Sequence, residues 1–394
     1  MNLRAITTHR LLAVCIVVIV LGATGAAIAI AGGGPTLPPR KPLATVVRDA
    51  VRAPEVPGVT ARIKFTNKLI DSSSLQGSDP LLTGAGGRVW ISGDRVRLEL
   101  QSDAGDAQIL SDGKTASLYD AANNTVYRAT LPREEGAREA KERKGPPSLA
   151  RIQKGLNRLM QRANVSSARP SAVADRPAYT VRVGPKHDGG RLGAAELAWD
   201  AARGVPLRGA VYAEGNPSPV LELEATDISF GAVPASTFDA KPPARAKRVT
   251  LDDGKPGERS RKGRRDRRPV TGAAAVDRAV PFSLSAPGRL VGLPRQEVRL
   301  IDHEGRPGAV VTYGRGLGGI AVIQQATERS DRSERGKRDR MRDLDLPKVS
   351  INGATGEELD TALGTIVRFS RGGVDYTVLG SVPPAAAEAA ARGL

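Results

Sequence analysis

The chain has 394 residues, of which 59 are Lys or Arg and 42 are Asp or Glu, so it carries a formal charge of +17 at neutral pH. Aromatic residues make up only 3% and Cys15 is the single cysteine, which excludes an intrachain disulfide and any metal site built from two or more cysteines. The three histidines, His9, His187 and His303, stand far apart and offer no pair at metal-ligand spacing.

Leu11–Ala31 reads LLAVCIVVIVLGATGAAIAIA, with no charge. A helix of that length spans about 31 Å, the thickness of the bilayer hydrocarbon. Arg4 and Arg10 precede it, as a basic region precedes the apolar core of an export signal. The sequence predicts an N-terminal transmembrane helix, with Leu11, Val17, Ile19, Leu21 and Ile28 among its lipid-facing side chains. Ala29-Ile30-Ala31 before Gly32 also fits a small-x-small cleavage pattern. Cleavage there would leave a soluble carrier, and retention a tethered protein. The length of the apolar run favours retention. Cys15 lies inside that run and reads as a buried apolar residue, because Val14 stands where a lipoprotein cleavage box needs a small residue.

Residues 1–10 are then a cytoplasmic region, 11–31 the anchor or signal, and 32–42 a Gly/Pro tether. The bulk of the chain is expected outside the cytoplasm. From Val59 the pattern alternates. Val59, Ala61, Ile63 and Phe65 interleave with polar residues, as do Val96, Leu98 and Leu100. Ser111-Asp112-Gly113-Lys114 is a hairpin signal, followed by strands at Leu118–Asp120 and Thr125–Ala129. Arg133–Lys144 is a charged loop. Pro147 opens a helix in which Leu149, Ile152, Leu156 and Leu159 recur at three- and four-residue spacing. Strands resume at Tyr179–Val183, Glu196–Asp200, Leu207–Tyr212 and Val220–Phe230.

Lys241–Arg268 holds twelve basic and four acidic residues, a net +8, and no periodic apolar residues, so it reads as a solvated linker. No aromatic residue interleaves with these charges, which speaks against stacking on nucleic-acid bases. Beyond it, Val298–Ile301, Ala309–Tyr313, Gly319–Gln324, Val349–Ile351, Thr365–Phe369 and Val374–Leu379 are expected strands. Glu328–Asp343 is another charged loop, and Pro384–Arg392 a terminal helix. The predicted organisation is one domain over residues 43–243, a basic linker over 244–279 and a second domain over 280–394.

No constellation for catalysis emerges. Gly314–Gly319 satisfies GxGxxG and comes after a strand, but the residues beyond it, Ile320–Gln324, are also strand-like, so no helix N-terminus is available for a phosphate. The glycines read as a hairpin. His187 and His303 each neighbour a carboxylate in sequence, yet neighbours on an extended chain point to opposite faces. There is no GxSxG elbow and no Walker loop. The chain is therefore expected not to be an enzyme and to hold neither metal nor cofactor.

Ser111–Thr130 (SDGKTASLYDAANNTVYRAT) resembles the central hairpin of the LolA/LppX/RseB superfamily of envelope proteins. Arg176–Tyr179, Ala198–Asp200, Gly204–Leu207, Thr226–Phe230 and Ser236–Phe238 come after it in that superfamily's order. Gly372–Leu394 resembles the end of the C-terminal domain of RseB/MucB-type sigma-factor regulators. The resemblance implies an α+β fold: a strongly curved antiparallel half-barrel sheet wrapped over helices, plus a smaller C-terminal α/β domain. It also implies an apolar cavity for lipid or lipoprotein acyl chains, and a membrane-anchored anti-sigma factor as a partner. Ile63, Phe65, Leu98, Leu100, Leu118 and Tyr127 are the candidate cavity-lining residues. The alternative is a protein-interaction regulator with a closed core. The apparent anchor and the basic linker depart from a shuttling carrier and favour a tethered sensor or regulator.

Overall fold

The computed structural model describes residues 36–70, 84–103, 105–121, 124–131, 149–186, 190–251, 270–303, 306–327 and 346–394. Leu11–Ala31, with Leu11, Val17, Ile19, Leu21 and Ile28, lies outside them, as do Cys15, His9, His187, the loop Arg133–Lys144 and the loop Glu328–Asp343. Among the described residues no helix is long and apolar enough to cross a membrane.

The first sheet grows from the alternation of β1 (Val59–Asn67). Val59, Ala61, Ile63, Phe65 and Asn67 are buried, whereas Arg62 and Lys64 are exposed. Its neighbours repeat the pattern: β2 (Ala85–Ser92), β3 (Arg95–Ser102), β4 (Gly105–Ser111), β5 (Thr115–Asp120) and β6 (Thr125–Thr130) form a meander of antiparallel pairs. On the other side of β1 the chain returns as β12 (Pro219–Phe230), then β11 (Pro206–Ala213), β10 (Leu192–Asp200) and β9 (Arg176–Pro185). β7 (Ala163–Val165) and β8 (Arg169–Val173) both pair with β9. These twelve strands, with one more at the β6 edge, make a 13-stranded sheet.

Register keeps one face apolar across the whole width. Ile228, Ala61, Val89, Leu98, Ile109, Leu118 and Tyr127 stand opposite one another on seven consecutive strands. A second row runs Ala225, Ile63, Gly87, Leu100, Ala107. A β-carbon at Gly87 would lie 2.0 Å from the Glu99 carbonyl oxygen, so only glycine fits there. Between Arg62 and Ile63 the register to β12 shifts by one residue, and two more shifts interrupt the β10–β11 pair. Bulges of this kind bend strands and raise their twist, which curls the sheet into a half-barrel.

Two helices accompany this sheet. α1 (Leu43–Arg52) was not foreseen. It buries Val46 against Tyr179, Val181 and Trp199 of β9 and β10. α2 (Leu149–Arg162) is the helix read after Pro147, but it packs against α1. Leu149 and Leu159, expected on a buried face, are exposed. The periodicity marked a face without saying how much of it would be covered.

The segment Lys241–Arg268 is not wholly a linker. Lys247–Leu251 forms β13, which joins the sheet edge by pairing in parallel with β6. Val249 and Leu251 alternate with polar residues there, a signal that the density of charge concealed. Residues 252–269 lie outside the described part of the chain.

The second sheet contains β14 (Arg289–Leu290), β15 (Leu293–His303), β16 (Arg306–Tyr313), β17 (Ile320–Ala326), β18 (Lys348–Ile351), β19 (Ala354–Thr361), β20 (Gly364–Arg371) and β21 (Val374–Gly380). Its order is β14-β15-β16-β17-β21-β20-β19-β18, antiparallel throughout. The GxGxxG glycines turn β16 into β17, with Tyr313 opposite Ile320. α3 (Ala273–Asp277) packs on β15, and α4 (Pro384–Arg392) packs on β18, β20 and β21. Val276 of α3 and Ala387, Ala390 and Ala391 of α4 complete a core with Val311, Val322, Val367 and Val378, all fully buried.

Two loops of the first sheet dock on the second sheet. Beyond β1, the Asn67 side-chain oxygen accepts the Leu69 N–H at 2.9 Å and turns the chain outward. Ile70 then packs with Leu346, Leu359 and Ile366. At the β9–β10 turn, the Arg191 N–H donates to Ser381, its carbonyl at 3.1 Å and its Oγ at 2.9 Å. The Arg191 guanidinium pairs with Asp360.

Candidate functional site: an apolar groove on the curved sheet

The inner rows of the first sheet do not close on themselves. Curvature leaves a groove walled by Val59, Ala61 and Ile63 of β1, Val89 and Ile91 of β2, and Leu98 of β3. The far wall is Val205–Gly209, entering β11, with Leu223, Ala225 and Ile228 of β12. The space enclosed between these walls is about 60 Å³, and beyond it the groove opens to solvent. The side chains that meet there are almost all aliphatic, so the groove offers burial and no reactive group.

One end of the groove carries guanidinium groups. Phe230, next on the inner face after Ile228, has Arg203 stacked over its ring at 4.5 Å and Arg176 at 5.2 Å. Arg176 also donates to the Ile228 carbonyl at 3.2 Å. Arg203 faces Asp200 at 3.8 Å, both side chains being nearly buried. Asp200 in turn accepts the N–H groups of Ala202 and Arg203, which fixes the turn into β11. The opposite end of β1 leads to Asn67 and the domain junction.

Six candidate residues came from the sequence. Ile63 and Leu98 stand on the groove wall. Phe65, Leu100 and Leu118 are buried in the same apolar cluster without lining the groove, and Tyr127 is half-buried against it. Register explains the division: Leu118 and Tyr127 lie two and three strands beyond Leu98. Val205, Leu207, Leu223, Ala225 and Ile228 were missed. Their strands alternate visibly, but only the long-range pairing of β1 with β12, and of β12 with β11, brings them beside Ile63.

A polar network lies on β9–β12, on the sheet face away from Leu197, Gly209 and Leu223. Glu196 accepts from Arg182 at 3.0 Å, from Arg208 at 3.0 Å and from the Tyr212 hydroxyl at 2.9 Å. Arg208 also reaches Glu222 and the Tyr212 oxygen. Burial by itself would push the Glu196 carboxyl up, but these three donors outweigh it and hold it below its ordinary value. Every charge there is matched, which marks a structural brace. Among the described residues no group of three or more His, Cys, Asp or Glu side chains could hold a metal ion.

No family model matches the chain. No curated protein matches it either. Among solved structures it is similar to MucB in complex with MucA(peri), at 17% identity over 88% of this chain and 94% of that one, with a TM-score of 0.41. It is also similar to the Pseudomonas aeruginosa MucA/MucB complex, at 18% identity, 89% and 94% coverage and a TM-score of 0.41. A LolA-superfamily protein of Nitrosomonas europaea matches at 11% identity over 51% of this chain and 98% of that one, with a TM-score of 0.22.

Proposed function

We propose that the chain is a non-enzymatic binding protein of the cell envelope, tethered by Leu11–Ala31, that takes lipid or lipoprotein acyl chains into the groove of its half-barrel sheet. The observation that carries this reading is the groove itself: aliphatic walls contributed by five strands and two arginines at one end. Burying an acyl chain contributes roughly 0.8 kcal/mol per methylene, so several methylenes suffice for binding without catalysis. Shape and apolar lining do the recognising. Cationic side chains at Phe230 suit an acyl ligand with an anionic head.

The test is mass spectrometry of lipid extracted from the purified full-length chain and from an Ala61→Phe variant. Ala61 is 4% exposed on the groove wall. Its enlargement should fill the groove, reduce co-purified lipid at least ten-fold and cost about 1–3 kcal/mol of stability. An empty wild-type protein, or a variant that retains its lipid while folded, would refute the reading.

A role as sensor or regulator of a sigma/anti-sigma system, with a membrane-anchored anti-sigma factor as partner, rests on the order of the motifs. Cross-linking in cells before and after deletion of residues 280–394 tests it. An unchanged set of partners would count against it.

A further inference from the structure

α2 is more amphipathic than its packing requires. At ~100° per residue, Leu149, Ile152, Leu156, Leu159 and Met160 fall within an arc of about 100°. The positions of Arg151, Lys154, Arg158 and Arg162 fall on the opposite side, and the helix contains no acidic residue. In a helix that serves only to cover a core, the apolar arc would be covered in turn. Here Ile152 and Leu156 are half-buried, while Leu149, Leu159 and Met160 are 39%, 42% and 38% exposed. Val51 of the adjoining α1 is 45% exposed as well.

We propose that α2 lies flat on an anionic lipid bilayer, with Leu149, Leu159 and Met160 entering the headgroup–acyl boundary. A narrow apolar face on an otherwise polar helix, with lysine and arginine opposite, is the pattern of helices that lie in the membrane interface. Charge chooses the occupant. A helix with four basic residues and no acid is repelled by another copy of a +17 chain and attracted by anionic headgroups. Lys186 adds a further positive charge where it donates to the Met160 carbonyl at the helix end. Reach also agrees. With Leu11–Ala31 in the bilayer, as the proposed function has it, the tether 32–42 extends at most about 40 Å, which leaves α1 and α2 within reach of the surface.

The test uses the full-length chain carrying Cys15→Ser and Met160→Cys, labelled with an environment-sensitive fluorophore. It is reconstituted into vesicles of phosphatidylcholine alone or with added phosphatidylglycerol, each with or without brominated acyl chains. The anchor inserts in both lipids, so its behaviour is separated from that of the helix. The expected result is a blue shift with quenching by brominated lipid only when phosphatidylglycerol is present. Lys154→Gln with Arg158→Gln should lower the bound fraction at least five-fold, and Leu159→Asp should remove quenching; all three sites are exposed, and circular dichroism should be unchanged. A label that stays in water with phosphatidylglycerol overturns the proposal. So does equal quenching in both lipids, and so does a label shielded yet unquenched, which would mean that protein covers the face.

Discussion

The Ala362 N–H donates to the Leu69 carbonyl across 2.7 Å, joining the chain just beyond β1 to the β19–β20 turn of the second sheet. The bond is the last of a short chain: Lys68 N–H to the Val220 carbonyl, Leu69 N–H to Asn67, then Ala362 to Leu69. The two sheets are therefore linked through backbone bonds, with the Asn67 side chain fixing the turn between them.

That junction predicts cooperative unfolding. Gly190 sits at φ +58°, and a β-carbon there would lie 2.0 Å from the Ser381 carbonyl oxygen. Gly190→Ala should separate the docked surfaces, adding strain of about 1–3 kcal/mol in the bound arrangement. Calorimetry should show a single transition in the wild type resolve into two. Identical traces for both proteins would show that the junction does not hold the domains together.

The Glu196 brace should be expensive to break from one side. Glu196→Ala leaves Arg182, Arg208 and the Tyr212 hydroxyl without their shared acceptor in a largely covered site, at a cost of about 1.5–3 kcal/mol. Its carboxyl lies below the ordinary value in the folded state. Its contribution is therefore present above the unfolded value and lost as pH falls through the folded one. Urea midpoints of wild type and Glu196→Ala should converge in acid and diverge near neutrality.

Glu358 has the opposite sign. Burial, with Glu388 and Asp360 alongside, raises its carboxyl above the usual range. A raised acid contributes stability below its unfolded value, and that contribution disappears as pH rises through the folded value. Near neutrality the charged Glu358 opposes folding. Glu358→Gln should raise the melting temperature by a few degrees, the effect of about 1 kcal/mol. The gain should vanish below about pH 4, the region beneath the ordinary glutamate value.

A turn in the same domain offers a further gain. Ile351-Asn352-Gly353-Ala354 closes its hairpin with φ +49° and +86°, the Asn-Gly pairing that a two-residue turn of this kind favours. Leu290-Val291-Gly292-Leu293 closes with φ +44° and +80°, yet puts a β-branched residue first. Val291 is 43% exposed and contributes little burial in return. Val291→Asn should stabilise the domain by about 1–2 kcal/mol, read as a shift in denaturant midpoint at constant slope. A destabilised variant would mean that Val291 is held by packing.

Much of this molecule was determined by its sequence alone. Alternation in Val59–Phe65, Val96–Leu100 and Val220–Phe230 specifies strands with one apolar face, because successive side chains point to opposite faces and only one set is apolar. Asp112-Gly113 and Asn352-Gly353 specify turns for reasons that are local to a few dihedrals. The strand after Gly314–Gly319 excludes a phosphate loop. Tertiary structure decided the rest. Which residues line the groove together depends on β1 meeting β12, some 160 residues later, and on the bulge at Arg62–Ile63 that bends the pair. Ile63 and Leu98 became wall while Leu118 and Tyr127 did not, since curvature is a property of the whole sheet. Charge hid β13, and periodicity could mark the apolar face of α2 but not its exposure. Pattern states what a segment prefers to bury; only packing states what is there to bury it.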